Sequence, residues 1–168
     1  MDIVLDSDYL AEFLAQYFDV GLANRGQGTF HPKGLISKEL ARKLNSIMIT
    51  SQESISTLVI ASALAFVEIA RNWEKLAENR FTIEQFHAFV YQPPIWFDIA
   101  PVDSDLLPSF IDVPTLVKID SKLKPIEWTD GVHLATVLSR GEAVDSATLA
   151  TSDHRLIAIL QQQGRIIL

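Results

Sequence analysis

Four carboxylates in this chain stand just after a strand, at the start of a helix or a little way into one. Asp6 follows the apolar run Ile3-Val4-Leu5. Glu68 lies in Ser62-Ala63-Leu64-Ala65-Phe66-Val67-Glu68, two turns into a helix and alone among apolar neighbours. Asp130 opens Asp130-Gly131-Val132-His133-Leu134-Ala135-Thr136, and Asp153 closes Ala150-Thr151-Ser152-Asp153. In open parallel sheets ligands bind beyond the carboxyl ends of the strands. Carboxylates gathered in one partly desolvated pocket repel and raise one another's pKa. A divalent cation removes that conflict, and an all-oxygen site suits Mg²⁺ or Mn²⁺. Such an ion polarises a phosphoryl oxygen and acidifies water, so the matching substrate is a phosphodiester or a phosphate.

Each residue also has a plainer role. Asp6, Asp130 and Asp153 all fit helix starts as caps. Glu68 could pair with Arg71 one turn later. His133 shares a helix face with Asp130 and is assigned to packing rather than to orienting Asp130 or a water. His154 and Arg155, next to Asp153, are candidate phosphate contacts or plain surface charge. Arg71 and Lys75 are candidate contacts to an RNA backbone or a solvated helix face. Arg25, His31, Lys33, Lys38, Arg42 and Lys43 form a basic segment, a candidate RNA edge or protein-binding surface, although a charge run is usually just solvated. Trp96, Phe97 and Trp128 are assigned to packing rather than to base stacking.

These positions require a particular scaffold. Ile3–Leu5 reads as a buried strand, and Leu10, Phe13, Leu14, Tyr17 and Phe18 as the helix after it, capped by Ser7 or Asp8. Residues 19 to 34 hold four of the seven glycines and read as a long loop. Ser37–Ile49 is helical. Ser56–Ala61 is a second strand, followed by a helix capped by Ser62. Thr82 caps a short helix ended by Pro93-Pro94, and Ile95–Ile99 is a third strand. Residues 103 to 124 read as helix in pieces, punctuated by Pro108 and Pro114. Thr129 caps a helix to about Arg140. Ala147–Thr151 is a fourth strand, Asp153–Gln163 a helix, and Arg165–Leu168 a final short strand. Strands alternating with helices predict an α/β domain with a parallel sheet covered on both faces. No interior linker separates two cores, so one domain is expected over residues 1 to 168.

Composition agrees. Of 168 residues 48% are hydrophobic and 21% charged, which excludes disorder and supports one core. The 14 Lys and Arg against 21 Asp and Glu give a net charge of −7, so a broadly basic nucleic-acid coat is excluded. There is no cysteine, which removes disulfides, thiol catalysis and Cys-ligated metals. The start, Met1-Asp2-Ile3-Val4-Leu5-Asp6, lacks a signal peptide's basic and apolar regions. The most apolar stretch, Leu58 to Ala70, is interrupted by Ser62 and Glu68 and is too short to span a bilayer. A cytoplasmic location is expected by elimination.

Taken together, Ile3-Val4-Leu5-Asp6-Ser7-Asp8, Ser62…Glu68, Asp130-x-x-His133-Leu134-Ala135-Thr136 and Thr151-Ser152-Asp153-x-x-Leu156 resemble a PIN-domain protein of the VapC-like toxin ribonuclease family. The resemblance covers essentially the whole chain. It implies a PIN-like three-layer α/β/α sandwich around a mostly parallel sheet of four to five strands. It implies a Mg²⁺- or Mn²⁺-dependent endoribonuclease, the toxin of a type II toxin–antitoxin pair, hydrolysing RNA by in-line attack of water. Asp6, Glu68 and Asp130 would be the main metal ligands, with Asp153 a direct or water-mediated fourth. Asp8 and Ser152 would support them from behind. An RNA substrate, an antitoxin protein and a second copy of the chain are the implied partners. The Gly-rich segment at about 19 to 34 is longer than such a domain needs. Three other readings remain: a solitary RNA-processing nuclease, a haloacid-dehalogenase-like phosphatase using Asp6 as nucleophile, and a non-catalytic PIN binding module. The phosphatase should have Gly-Thr after its second Asp and a Lys before its last acids, but Tyr9-Leu10 and Thr151-Ser152-Asp153 stand there.

Overall fold

A computed structural model describes residues 1–19, 28–50, 57–141, 146–165 and 168. Four short strands form a parallel sheet: β1 (Asp2–Leu5), β2 (Val59–Ser62), β3 (Phe97–Ala100) and β6 (Ala147–Ala150). Their order is β3-β2-β1-β6. The chain thus builds outward from β1 on one side, then returns to lay its last strand against β1 on the other. The carboxyl end of β1 is therefore the switch point of the sheet, where crevices open in such folds.

Both faces of the sheet are covered, as expected for a parallel sheet. Ile3, Leu5, Val59, Ala61 and Ala150 belong to one apolar cluster, with side chains from α1 (Ser7–Asp19), α2 (Lys38–Thr50), α3 (Ala63–Arg71) and α5 (Ile83–Tyr91). The short α4 (Trp73–Leu76) follows α3 directly. Val4, Ile60, Ala147 and Leu149 point to the other face, where α7 (Trp128–Leu138) and α8 (His154–Gln162) pack. Strand residues alternate between the two clusters with the period of two that a pleat dictates.

Phe13 lies at the centre of the first cluster. Its ring stacks on Phe30 at 5.0 Å and meets Phe97 at 5.3 Å, Trp96 at 6.0 Å and Phe89 at 6.1 Å. Such pairs add to area burial. Phe30 belongs to the segment expected to be a loop. It is buried, and its backbone exchanges two hydrogen bonds with the Asn45 side chain, at 2.7 and 2.8 Å. Gln16, also buried, does the same for His31, both at 3.1 Å. The second half of the Gly-rich segment is thus pinned to α1 and α2, while residues 20–27 lie outside the described residues.

The stretch from 103 to 124 departs from the helical expectation. A 3₁₀ turn (Ser104–Leu106) and the one-turn helix α6 (Leu107–Ile111) are present. After Pro114 the chain forms an antiparallel hairpin, β4 (Leu116–Ile119) and β5 (Lys122–Pro125). Asp120 and Ser121 link the strands with φ of 48° and 64°. Two positive φ values in a two-residue loop match the twist of a hairpin, which is why the chain turns here rather than winding into a helix. Val117 is buried in the second cluster, so the hairpin closes that face beside α8.

Helix starts also differ in detail. Ser62 caps α3 through a bond from Ala65 N–H at 3.2 Å, as expected, and Thr82 and Gln85 form a reciprocal capping box on α5. The first helix is capped by Asp6 rather than Ser7 or Asp8: Tyr9 N–H donates to Asp6 Oδ1 at 2.9 Å. Helix α7 begins at Trp128, without a side-chain cap from Thr129. The expected last strand falls partly on residues 166–167, outside the described residues. Among the described residues no helix is long and apolar enough to cross a membrane.

Candidate functional site

At the carboxyl edge of the sheet, Asp6, Ser7, Asp8, Glu68, Asp130, His133, Ser152 and Asp153 line one polar cavity of about 220 Å³. The four acids singled out in the sequence converge there from four elements. Asp6 comes directly after β1 and Asp153 after β6, which are hydrogen-bonded neighbours. Glu68 comes from α3 and Asp130 from the first turn of α7.

Asp6 is the deepest of them, only 9% exposed. Burial pushes its carboxyl up from 3.8, against the hydrogen bonds of Thr151 and of Tyr9 N–H and the attraction of His133; the charge of Asp8 adds to the rise. Thr151, buried, serves both ends of the site. It hydrogen-bonds Asp6 and accepts from Asp153 N–H at 3.1 Å. Nothing in its residue type distinguished it from a strand threonine, and its place between two acids appears only once β1 and β6 pair.

Glu68 pairs with His133, not with Arg71. His133 Nε2 donates to Glu68 Oε2 at 3.3 Å, while its Nδ1 stands 3.4 Å from Ser62 Oγ. The ring is buried and joins the α3 cap to the α3 carboxylate, so it is more than packing, and it orients Glu68 rather than Asp130. Burial alone would raise Glu68; the hydrogen bond and attraction of His133, and a hydrogen bond to Ser7, outweigh it and hold the carboxyl below 4.5.

Arg155 gathers the remaining acids. Its Nη2 donates to Asp153 Oδ2 at 2.6 Å and to Asp130 Oδ2 at 2.8 Å, and its Nη1 lies 3.6 Å from Glu127. Asp153 also caps α8 by accepting Arg155 N–H at 2.7 Å. The Arg155 hydrogen bond holds the Asp153 carboxyl below 3.8 despite partial burial. Asp130 shares the same guanidinium yet stands above 3.8, because burial and the charges of Asp153 and Glu127 outweigh the arginine. Arg155 itself is held more firmly protonated than a free arginine by the same acids.

The other candidates lie further out. Arg71, Lys75 and His154 are exposed and do not line the cavity. Trp128, assigned above to packing, is 64% exposed two residues before Asp130, whereas Trp96 and Phe97 are buried.

The donor set is all oxygen apart from His133, which in kind fits a hard divalent ion. Arg155 and His133 offset only part of its negative charge, and among the described residues no three Asp, Glu or His side chains are placed to hold a metal ion as they stand. Comparisons with protein-family models, with curated proteins and with solved structures find no match to this chain.

Proposed function

We propose that this chain is a Mg²⁺- or Mn²⁺-dependent ribonuclease of the PIN type. The observation that carries the reading is the convergence of Asp6, Glu68, Asp130 and Asp153 on one polar cavity at the switch point of a parallel sheet. The fold holds these acids together against a penalty: Asp6 is pushed up by burial and by the charge of Asp8, and Asp130 by burial and by the repulsion of Asp153 and Glu127. Sites that keep such repulsion at a cost in stability are characteristically functional. Asp6, Glu68 and Asp130 would hold the cation. The ion would supply polarisation of a phosphoryl oxygen and acidification of water. The protein's own part is positional. Tyr9 N–H and Thr151 hold Asp6, and His133 holds Glu68 through a ring fixed at Ser62. An RNA substrate, an antitoxin partner, a second copy of the chain and a cytoplasmic location go with this reading.

One observation favours a second reading, a non-catalytic module of the same fold. Arg155 already bridges Asp130 and Asp153, as a retired metal site would arrange itself. The phosphatase reading gains no support, since no lysine lines the cavity and Asp6 Oδ1 is engaged as a helix cap. Cleavage of single-stranded RNA with Mg²⁺, by the wild type and by Asp6→Asn, separates these. The nuclease reading expects cleavage that falls at least about 100-fold in the variant, within the range by which catalytic groups contribute. Equal cleavage by both proteins refutes the site, and no cleavage by either favours the module.

A further inference from the structure

The exposed Trp128 borders a second hollow, an apolar groove of about 400 Å³. Phe110, Val113, Pro114, Ile126 and Gly131 line it with Trp128. Gly131 lets Phe110 close in, since a Cβ there would stand 3.1 Å from the Phe110 ring. The groove falls in the size range of clefts that take small ligands. It lies across the first turn of α7 from the acidic cavity: Trp128 and Gly131 line the groove, Asp130 and His133 the cavity. Arg155 ties the hairpin to that cavity. Its Nη2 holds Asp130, and its Nη1 lies 3.5 Å from the Pro125 carbonyl oxygen at the end of β5.

The hairpin supplies charge. Lys118, Lys122 and Lys124 are three of the 14 Lys and Arg of a chain with net charge −7, gathered on two short strands. All three are exposed, and none pairs with an acid among the described residues, whereas Lys43, Arg80, Arg140 and Arg155 do. The hairpin runs into the groove: Ile126 N–H donates to the Thr115 carbonyl oxygen at 3.0 Å, and both residues line it. Free cations thus lead to an exposed indole over an apolar hollow. Single-stranded nucleic acid is bound by this combination, cations on the phosphates and an aromatic face under a base. An acidic peptide matches the lysines alone. We infer that the groove is a nucleobase subsite: single-stranded RNA lays one base on Trp128 and its neighbouring phosphates along the hairpin lysines. Glu127, also in the groove, accepts from an exocyclic amino group, as acids do from cytosine N4. The choice of RNA rests on the proposed function of the neighbouring cavity, but binding at the groove needs neither metal nor cleavage.

The test is fluorescence anisotropy of a labelled cytidine oligomer of about 12 nucleotides, within the usual site size, titrated with the full chain in chelator. The proteins are wild type, Trp128→Ala, Trp128→Phe and the double variant Lys122→Gln/Lys124→Gln, each checked by a thermal melt. Trp128→Ala is expected to bind about tenfold more weakly, the usual loss of one stacked base, and Trp128→Phe to recover most of it. The lysine variant is expected to flatten the slope of log affinity against log salt by about 1.4, roughly 0.7 for each phosphate released. Should Trp128→Ala show no cooperative melt, the lysine variant carries the test. No binding by the wild type overturns the inference, as does affinity of folded Trp128→Ala within about twofold of wild type or an unchanged salt slope in the lysine variant. Polyglutamate bound as tightly as the RNA, and with the same dependence on Trp128, overturns it in favour of an acidic protein segment. Cleavage assays with Mg²⁺ on the same proteins keep the two claims apart. Trp128-dependent binding without cleavage removes the nuclease and leaves the subsite. Cleavage by a wild type whose binding ignores Trp128 removes the subsite alone, and neither binding nor cleavage removes both.

Discussion

Replacing Asp6 by Asn should stabilise the metal-free protein. The side chain is almost fully buried, and burial pushes its carboxyl up, so the ionised form at neutral pH is disfavoured by the fold. Asparagine keeps the volume and the oxygen that accepts Tyr9 N–H at 2.9 Å, and it is an equally good helix cap. Its amide weakens the hydrogen bond that Thr151 gives the carboxylate, a smaller loss than the buried charge it removes. Functional-site charges of this kind return about 0.5–2 kcal/mol when neutralised. At roughly 2–4 °C per kcal/mol for a chain of this length, the melting temperature rises by about 1–8 °C. The pH dependence follows from the direction of the shift. A carboxyl raised in the folded state penalises the wild type fully above its folded value and not at all below 3.8, where both states are protonated. The gain is thus largest above the folded value and shrinks as pH falls toward 3.8. Saturating Mn²⁺ reverses the order, since about 2.7 kcal/mol accrues to a protein that binds at 100 times its Kd and none to one that does not bind. Thermal melts by circular dichroism in chelator, at pH 7 and pH 4.5 and then with Mn²⁺, read all three effects. A variant less stable than wild type by more than about 1 kcal/mol in chelator at pH 7 would show that the buried Asp6 charge carries no penalty.

His133→Ala leaves Glu68 with Ser7 alone and opens a gap, costing about 2–4 kcal/mol by denaturant titration. Because Glu68 is held below 4.5, part of that cost is present above this value and disappears as pH falls through the folded value, so the difference narrows in acid while the cost of the gap remains. Phe13→Ala, at the centre of the aromatic cluster and fully buried, should cost about 3–5 kcal/mol and lower the denaturant midpoint accordingly. Ser121→Gly relieves a non-glycine residue at φ 64° and should raise stability by about 0.5–1 kcal/mol in the same assay.

The parts of this molecule legible from its residues were those with strong local periodicity. Ile3-Val4-Leu5 and Ala147-Thr148-Leu149-Ala150 read as buried strands because both faces of a parallel strand are covered, leaving no polar alternation to confuse them. Asp6 and Asp153 stand out because they follow such runs, Glu68 because it interrupts an apolar helix, and Asp130 because it opens one. The hairpin was not. Its loop is Asp120-Ser121 without the glycine that usually marks positive φ, and its strands carry Lys118, Lys122 and Lys124, residues depleted in strands and at home in helices. Trp128 was misassigned for a related reason: with the preceding stretch read as helix, no edge was available for an exposed tryptophan beside Asp130. The pairings of His133 with Glu68 and of Arg155 with Asp130 join residues 65 and 25 positions apart, and spacing alone carries no information on such contacts.

The central claim is that the cavity between Asp6, Glu68 and Asp130 is a divalent-cation site. Crystals grown without metal and soaked in Mn²⁺ test it directly, through anomalous scattering from the ion. One Mn²⁺ peak is expected in that cavity, with oxygens of Asp6, Glu68 and Asp130 drawn to about 2.0–2.2 Å, distances usual for small divalent ions on oxygen. A cavity without a peak at saturating Mn²⁺, with Arg155 still bridging Asp130 and Asp153, would contradict it.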